Sequence, residues 1–214
     1  MKDKLLERIV RFSQIDIYPV ISSEFCAGRT PLEVLRGVGE GGARVVQLRE
    51  KHMRKQELAK LAVEFRKVTD SFGMLLIIND HVDIALECDA DGVHLGQDDA
   101  CFEEARALAP DLVIGVSTHS ELEALDAQAA GASYINIGPI FHTGTKSLPM
   151  EPLGLDLLRD LAPKITIPFT VMGGIKARHI PELVAIGAAR IAMVTEITQA
   201  DDVFTKVREL RTLF

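Results

Sequence analysis

Eight short apolar runs, each followed by a helical pattern, constrain this chain more than any other feature. They are Tyr18–Ile21, Val45–Leu48, Leu75–Ile78, Gly92–Leu95, Val113–Val116, Tyr134–Gly138, Phe169–Val171 and Arg190–Val194. Runs this short with helices between them cannot pair as hairpins, so they must lie parallel and be covered by the helices. Helix signals fill the gaps. Thr30-Pro31-Leu32-Glu33 and Ser120-Glu121-Leu122-Glu123 read as capping boxes, and Gly41-Gly42, Gly73, Gly131 and Gly187 read as helix ends. Eight such units predict an α/β fold, a (β/α)8 TIM barrel, with residues 1–214 as a single domain and an extra N-terminal helix over Lys2–Phe12. An open doubly wound sheet is the alternative, but it would want a Gly-rich fingerprint after the first strand, where none stands.

Composition narrows the function classes. The chain has 214 residues and a net charge of −7, which argues against nucleic acid as a partner, since that needs a basic face. No apolar run is long enough to span a bilayer, and Met1-Lys2-Asp3-Lys4 leads into a charged amphipathic pattern rather than a signal-peptide core. Cys26, Cys88 and Cys101 lack metal-ligand spacing, so reduced thiols in a cytoplasmic protein are expected. A homo-oligomer is neither required nor excluded. An anionic substrate would need a local cluster of Lys and Arg on this acidic body.

Barrels of this kind work at the C-terminal ends of their strands, and the unusual polar residues fall there. The second strand supplies Gln47, Arg49 and Lys51 at spacings of two, so they share one side while Val46 and Leu48 face the helices. They would make a cationic comb for phosphate oxygens, or a merely solvated strand end. Asn79-Asp80 closes the third run and Asp98-Asp99 follows the fourth. Two carboxylates from neighbouring strands suit Mg2+, which takes one or two carboxylates and fills its other positions with water and substrate phosphates. The plainer reading makes these residues N-caps of the helices that follow. His119 is a candidate acid–base group or a solvated loop residue. Gly173-Gly174 and Val194-Thr195 end the last two strands, where backbone N–H groups bind phosphate in this fold, although a Gly-Gly pair is also an ordinary tight turn. Two anion sites result. Asp80, Asp99, Arg49, Lys51 and Lys146 suit a diphosphate, and Thr143, Thr145, Gly174, Val194 and Thr195 suit a monophosphate. A diphosphate whose charge is neutralised is a primed leaving group, so a transfer between two phosphorylated small molecules is expected.

The runs Val46-Gln47-Leu48-Arg49-Glu50-Lys51, Ile78-Asn79-Asp80, Gly92 to Asp99, Gly138-Pro139-Ile140-Phe141, Thr143-Gly144-Thr145-Lys146 and Gly173-Gly174-Ile175 together closely resemble thiamine-phosphate synthase. The likeness runs in register from Tyr18 to the last helix. It implies a Mg2+-dependent transfer of a hydroxymethylpyrimidine group from its diphosphate to the nitrogen of a thiazole phosphate. The products would be thiamine monophosphate and pyrophosphate. By resemblance Asp80 and Asp99 would hold the metal. Gln47, Leu48, Arg49, Glu50, Lys51, Asn79, Ser117 and Lys146 would hold the pyrimidine diphosphate, with Arg49, Lys51, Ser117 and Lys146 closest to the chemistry. Thr143, Gly144, Thr145, Gly174, Val194 and Thr195 would take the thiazole phosphate. In that family the C–O bond to diphosphate breaks with carbocation character, and no protein nucleophile is needed.

This chain departs from the family pattern at Ser22-Ser23, where Thr-Asp is common, at Thr195, where serine is usual, and at His142 and Ser147 to Glu151. Two rival readings remain. A thiazole tautomerase, an isomerase on a similar barrel, would do without the metal carboxylates and could use His119. A non-catalytic thiazole-phosphate binder would keep the glycine nest and have no use for the cationic comb.

Overall fold

The computed structural model describes residues 2–97, 101–145 and 151–214. Its elements, in order, are α1 (Lys2–Ser13), β1 (Ile17–Ile21), α2 (Pro31–Glu40), β2 (Val45–Leu48), α3 (Lys55–Ser71), β3 (Leu75–Asn79), α4 (Val82–Glu87), β4 (Gly92–Leu95), α5 (Phe102–Leu108), β5 (Val113–Thr118), α6 (Glu121–Ala129), β6 (Tyr134–Ile137), α7 (Gly154–Leu161), β7 (Phe169–Val171), α8 (Ile180–Ala185), β8 (Ile191–Met193), α9 (Thr195–Thr198) and α10 (Val203–Arg211). The eight strands close into a barrel in sequence order, β1 pairing with both β2 and β8, and all pairs are parallel. Among the described residues no helix is long and apolar enough to cross a membrane.

Side chains alternate along each strand, and the alternation separates two cores. Ile21, Val46, Leu48, Leu76, Ile78, Val93, Ile114 and Ile135 point outward and pack under the helices. Tyr18, Val20, Val45, Leu75, Ile77, Val113, Tyr134 and Ala192 point inward. The helix α1 closes the lower end of the barrel. Phe12 stacks on Tyr134 with ring centroids 4.1 Å apart and meets Tyr18 edge-on at 5.7 Å. Buried Arg8 ties α1 to the barrel, its guanidinium donating to Asp91 at 3.3 Å and to the Asp111 carbonyl at 2.9 Å. Arg66 of α3 donates to the other Asp91 oxygen at 2.8 Å, so one carboxylate fastens two helices beneath the barrel.

The Thr30 capping box forms in full, with Glu33 N–H donating to Thr30 Oγ1 at 3.2 Å and Thr30 N–H to Glu33 Oε2 at 2.7 Å. The expected box at Ser120 forms only halfway. Glu123 N–H donates to Ser120 Oγ, but the Glu123 carboxylate accepts from His119 N–H at 2.7 Å instead of closing on Ser120.

Candidate active site

Two adjoining clefts open at the C-terminal rim of the barrel. Gln47, Arg49 and Lys51 line the first together with Asn79, Asp80, His94, Ser117 and Asn136, so the side chains at spacings of two in and beyond β2 do share one side. Asp80 is not a helix cap. The N-cap of α4 is His81, and Asp80 sits in the left-handed region at φ +64 with its N–H donating to the His94 carbonyl at 2.8 Å. That turn aims its carboxylate across to β2, where Lys51 Nζ donates to Oδ2 at 2.6 Å. Asp98, Asp99 and Lys146 lie outside the described residues.

Beneath this cleft a run of buried hydrogen bonds crosses the barrel. Gln47 Nε2 donates to the Tyr18 hydroxyl at 2.9 Å, Tyr18 and Tyr134 hydroxyls are 3.0 Å apart, and His94 joins Tyr134 through Nδ1 and Ser117 Oγ through Nε2, both at 2.9 Å. Burial pushes both phenols above their ordinary value, so they remain protonated. Gln47 donates at one end, and each tyrosine hydroxyl and imidazole nitrogen beyond it can act as donor or acceptor. Through this contact His94 orients the Ser117 hydroxyl in the cleft. Gly115 makes room for this arrangement, since a Cβ there would lie 2.0 Å from the Tyr134 ring.

The second cleft, of about 300 Å³, is lined by Thr143, Gly144, Thr145, Gly174, Val194 and Thr195, with Phe25, His142, Lys176, Glu196 and Gln199. Met172 and Ala192 line both clefts and make their common wall. Gly173 and Gly174 are more than a tight turn. Both have positive φ (+102 and +63), and a Cβ on either would meet the loop after β6, at 2.4 Å from Pro139 Cβ and 2.2 Å from the His142 carbonyl. The loops after β6 and β7 thus press together only because neither glycine has a side chain. In the first of them, Thr143 and Thr145 hydroxyls are 2.9 Å apart.

Two residues expected to bind substrate are engaged elsewhere. Leu48 is buried under the helices, and the Glu50 carboxylate accepts from Ser23 N–H at 2.7 Å and Ser23 O–H at 2.6 Å. Glu50 thereby pins the turn Ser23–Phe25, which carries Phe25 into the second cleft, and Ser23 is a residue that can donate to it. His119 donates through Nδ1 to the Gly138 carbonyl, which ties β5 to the loop after β6. Tyr18, His94 and Asn136 were not foreseen as part of the site. Their signal in the sequence is a polar group at an inward position inside an apolar run.

A family model described as thiamine monophosphate synthase matches residues 17–197, the whole barrel from β1 to α9. The chain belongs to that family. It is 43% identical over 201 residues to the thiamine-phosphate synthase of Pelotomaculum thermopropionicum, covering 94% of this chain and 92% of that one. It is 38% identical over 205 residues to the thiamine-phosphate synthase of Caldicellulosiruptor saccharolyticus, covering 95% and 93%. Among solved structures, thiamine phosphate pyrophosphorylase from Pyrococcus furiosus superimposes with a TM-score of 0.87 at 32% identity, over 95% of this chain and 96% of that one. The likeness to 3-hexulose-6-phosphate synthase, TM-score 0.70 at 20% identity over 94% of this chain and all of that one, is one of fold.

Proposed function

We propose that this chain catalyses the thiamine-phosphate synthase reaction, joining hydroxymethylpyrimidine diphosphate to a thiazole phosphate with release of pyrophosphate. The observation that carries this reading is the pair of clefts on one rim with a common wall at Met172 and Ala192. Two substrates held there would meet without leaving the protein. In the first cleft Arg49 and Lys51 grip phosphate oxygens, and Gln47, Asn79 and Ser117 hold the pyrimidine. In the second, backbone N–H groups of Gly174, Val194 and Thr195, with the threonine hydroxyls of Thr143 and Thr145, take the monophosphate. Leu48 and Glu50 act from behind, by packing β2 and by holding the turn at Ser23.

In the reaction the methylene carbon of the pyrimidine loses its bond to the diphosphate oxygen, which departs with the electron pair. The thiazole nitrogen then donates its lone pair to that carbon. No proton has to be removed by the protein. Asp80 and Asp99 would hold Mg2+. Mg2+ draws most of its ligands from water and substrate phosphates, so two carboxylates suffice for it. Bound there, the ion would neutralise the charge growing on the leaving diphosphate. A cytoplasmic location fits small diffusible substrates and three unpaired thiols.

The test is pyrophosphate release with each substrate alone and with both, before and after chelation of divalent metal. Release that needs both substrates and Mg2+ is expected. Metal-independent tautomerisation of the thiazole would make the chain an isomerase, and binding without turnover would make it a carrier.

A further inference from the structure

Lys176 and Glu196 are the oppositely charged pair among the described residues that line the second cleft. Lys176 Nζ lies 3.1 Å from Glu196 Oε2. Both ends of the pair are fixed from behind. Glu196, whose side chain is only 16% exposed, accepts from Ala177 N–H through Oε1 at 3.3 Å. Lys176 N–H donates to His179 Nδ1 at 3.1 Å, and the His179 ring packs against Phe141 at 4.1 Å. The Lys176 side chain is 42% exposed, so solvent screens the pair and it contributes little to stability. Its position does raise an electrostatic question. A carboxylate in the wall of a cleft that takes a phosphate would repel it, unless a cation stands between them.

We infer that Lys176 is the cation by which this chain selects a phosphorylated acceptor over the corresponding alcohol, with Glu196 as the residue that positions it. The inference rests on the synthase reading and deepens it. The backbone N–H groups of the glycine nest can hold either a phosphate or a hydroxyl. Lys176 adds a charge that only the phosphate rewards, and Glu196 makes the cleft hostile to an anion whenever Lys176 is missing.

The experiment measures pyrophosphate release against acceptor concentration at saturating pyrimidine diphosphate, for the wild type and for K176M, K176R and K176M/E196Q. Each is run with the thiazole phosphate and with the dephosphorylated alcohol. A charge-assisted contact of this kind is worth roughly tenfold or more in affinity. K176M is expected to raise the KM for the phosphate by about that factor and to leave the KM for the alcohol and for the diphosphate substrate in place. K176R should retain most of the wild-type value, and the double variant should recover part of what K176M loses, because the repelling carboxylate is gone. Equal changes for phosphate and alcohol, no change for either, or a double variant no better than K176M would each overturn the inference. Inorganic phosphate titrated into the wild type and K176M gives a readout independent of turnover, and equal or absent binding to both also overturns it. Failure of the synthase reading shows differently, as a wild type that releases no pyrophosphate.

Discussion

Asp80 is the residue on which charge and backbone can be separated. Its φ of +64 is tolerated by asparagine as well as aspartate, so Asp80→Asn keeps the turn and removes only the charge. The pair with Lys51 is partly exposed, and its loss should cost no more than about 1 kcal/mol of stability. Pyrophosphate release should fall roughly 100-fold or more, as when a group that stabilises developing charge is lost. Near-normal turnover in that variant, with urea midpoints confirming the fold, would remove Asp80 from the chemistry. The cysteines make a second prediction. Burial, then the nearby Glu50 charge, pushes the Cys26 thiol up to about 11, and burial pushes Cys88 up to about 11, whereas Cys101 is exposed. At neutral pH a thiol reagent should therefore modify Cys101 alone in the native protein and all three cysteines after unfolding, as counted by mass. His179 gives the pH dependence. Burial, then the charge of Arg178, holds its imidazole below the ordinary 6.5. The unfolded chain then takes up this proton at a higher pH than the folded one, so the stability His179 contributes is present above 6.5 and is lost as pH falls through its lowered value. His179→Gln should flatten that part of a plot of urea midpoint against pH; an unchanged slope would assign the loss to other groups.

Among the elements, α1 and β5 support the polar run under the site, α1 by packing Phe12 on its tyrosines and β5 by leaving room at Gly115. Phe12→Ala should destabilise the protein by about 3–5 kcal/mol, through loss of its buried ring against Tyr134 and Tyr18. Gly115→Ala should cost about 1–3 kcal/mol or more, because its Cβ collides with the Tyr134 ring, and should also lower turnover by displacing His94 from Ser117. Retained stability and activity in Gly115→Ala, measured by denaturation and pyrophosphate release, would show that the ring can move without consequence. The order and kind of these elements were legible in the sequence because strand runs, proline at the first helical position and glycine at helix ends are local signals. The role of α1 as the lower stopper was not. An amphipathic pattern shows that a helix buries one face, and says nothing about which surface it covers. The half-formed box at Ser120 failed for a similar reason: Glu123 had a second N–H within reach, at His119, that only the folded loop supplies.

For the whole molecule, the eight alternating units settled the barrel, and the barrel told which strand ends to read. That is why Gln47, Arg49, Lys51, Asn79, Asp80 and Ser117 could be gathered into one cleft from sequence positions far apart. The Glu50 side chain, alternating with Arg49 and Lys51 just past the end of β2, turns its carboxylate to Ser23, a contact that the sequence does not show. Tyr18, Tyr134 and His94 were passed over because a polar group inside an apolar run looks like part of the core until its partners across the barrel are known. On the proposed reading, two phosphate groups occupy two separate sites on one rim. Calorimetric titration of Mg2+-pyrophosphate and of thiazole phosphate into the wild type, Arg49→Gln and Thr195→Val tests it most directly. Arg49→Gln is predicted to weaken pyrophosphate alone and Thr195→Val thiazole phosphate alone, each by roughly tenfold. Variants that weaken both ligands to the same degree would contradict the division into two sites.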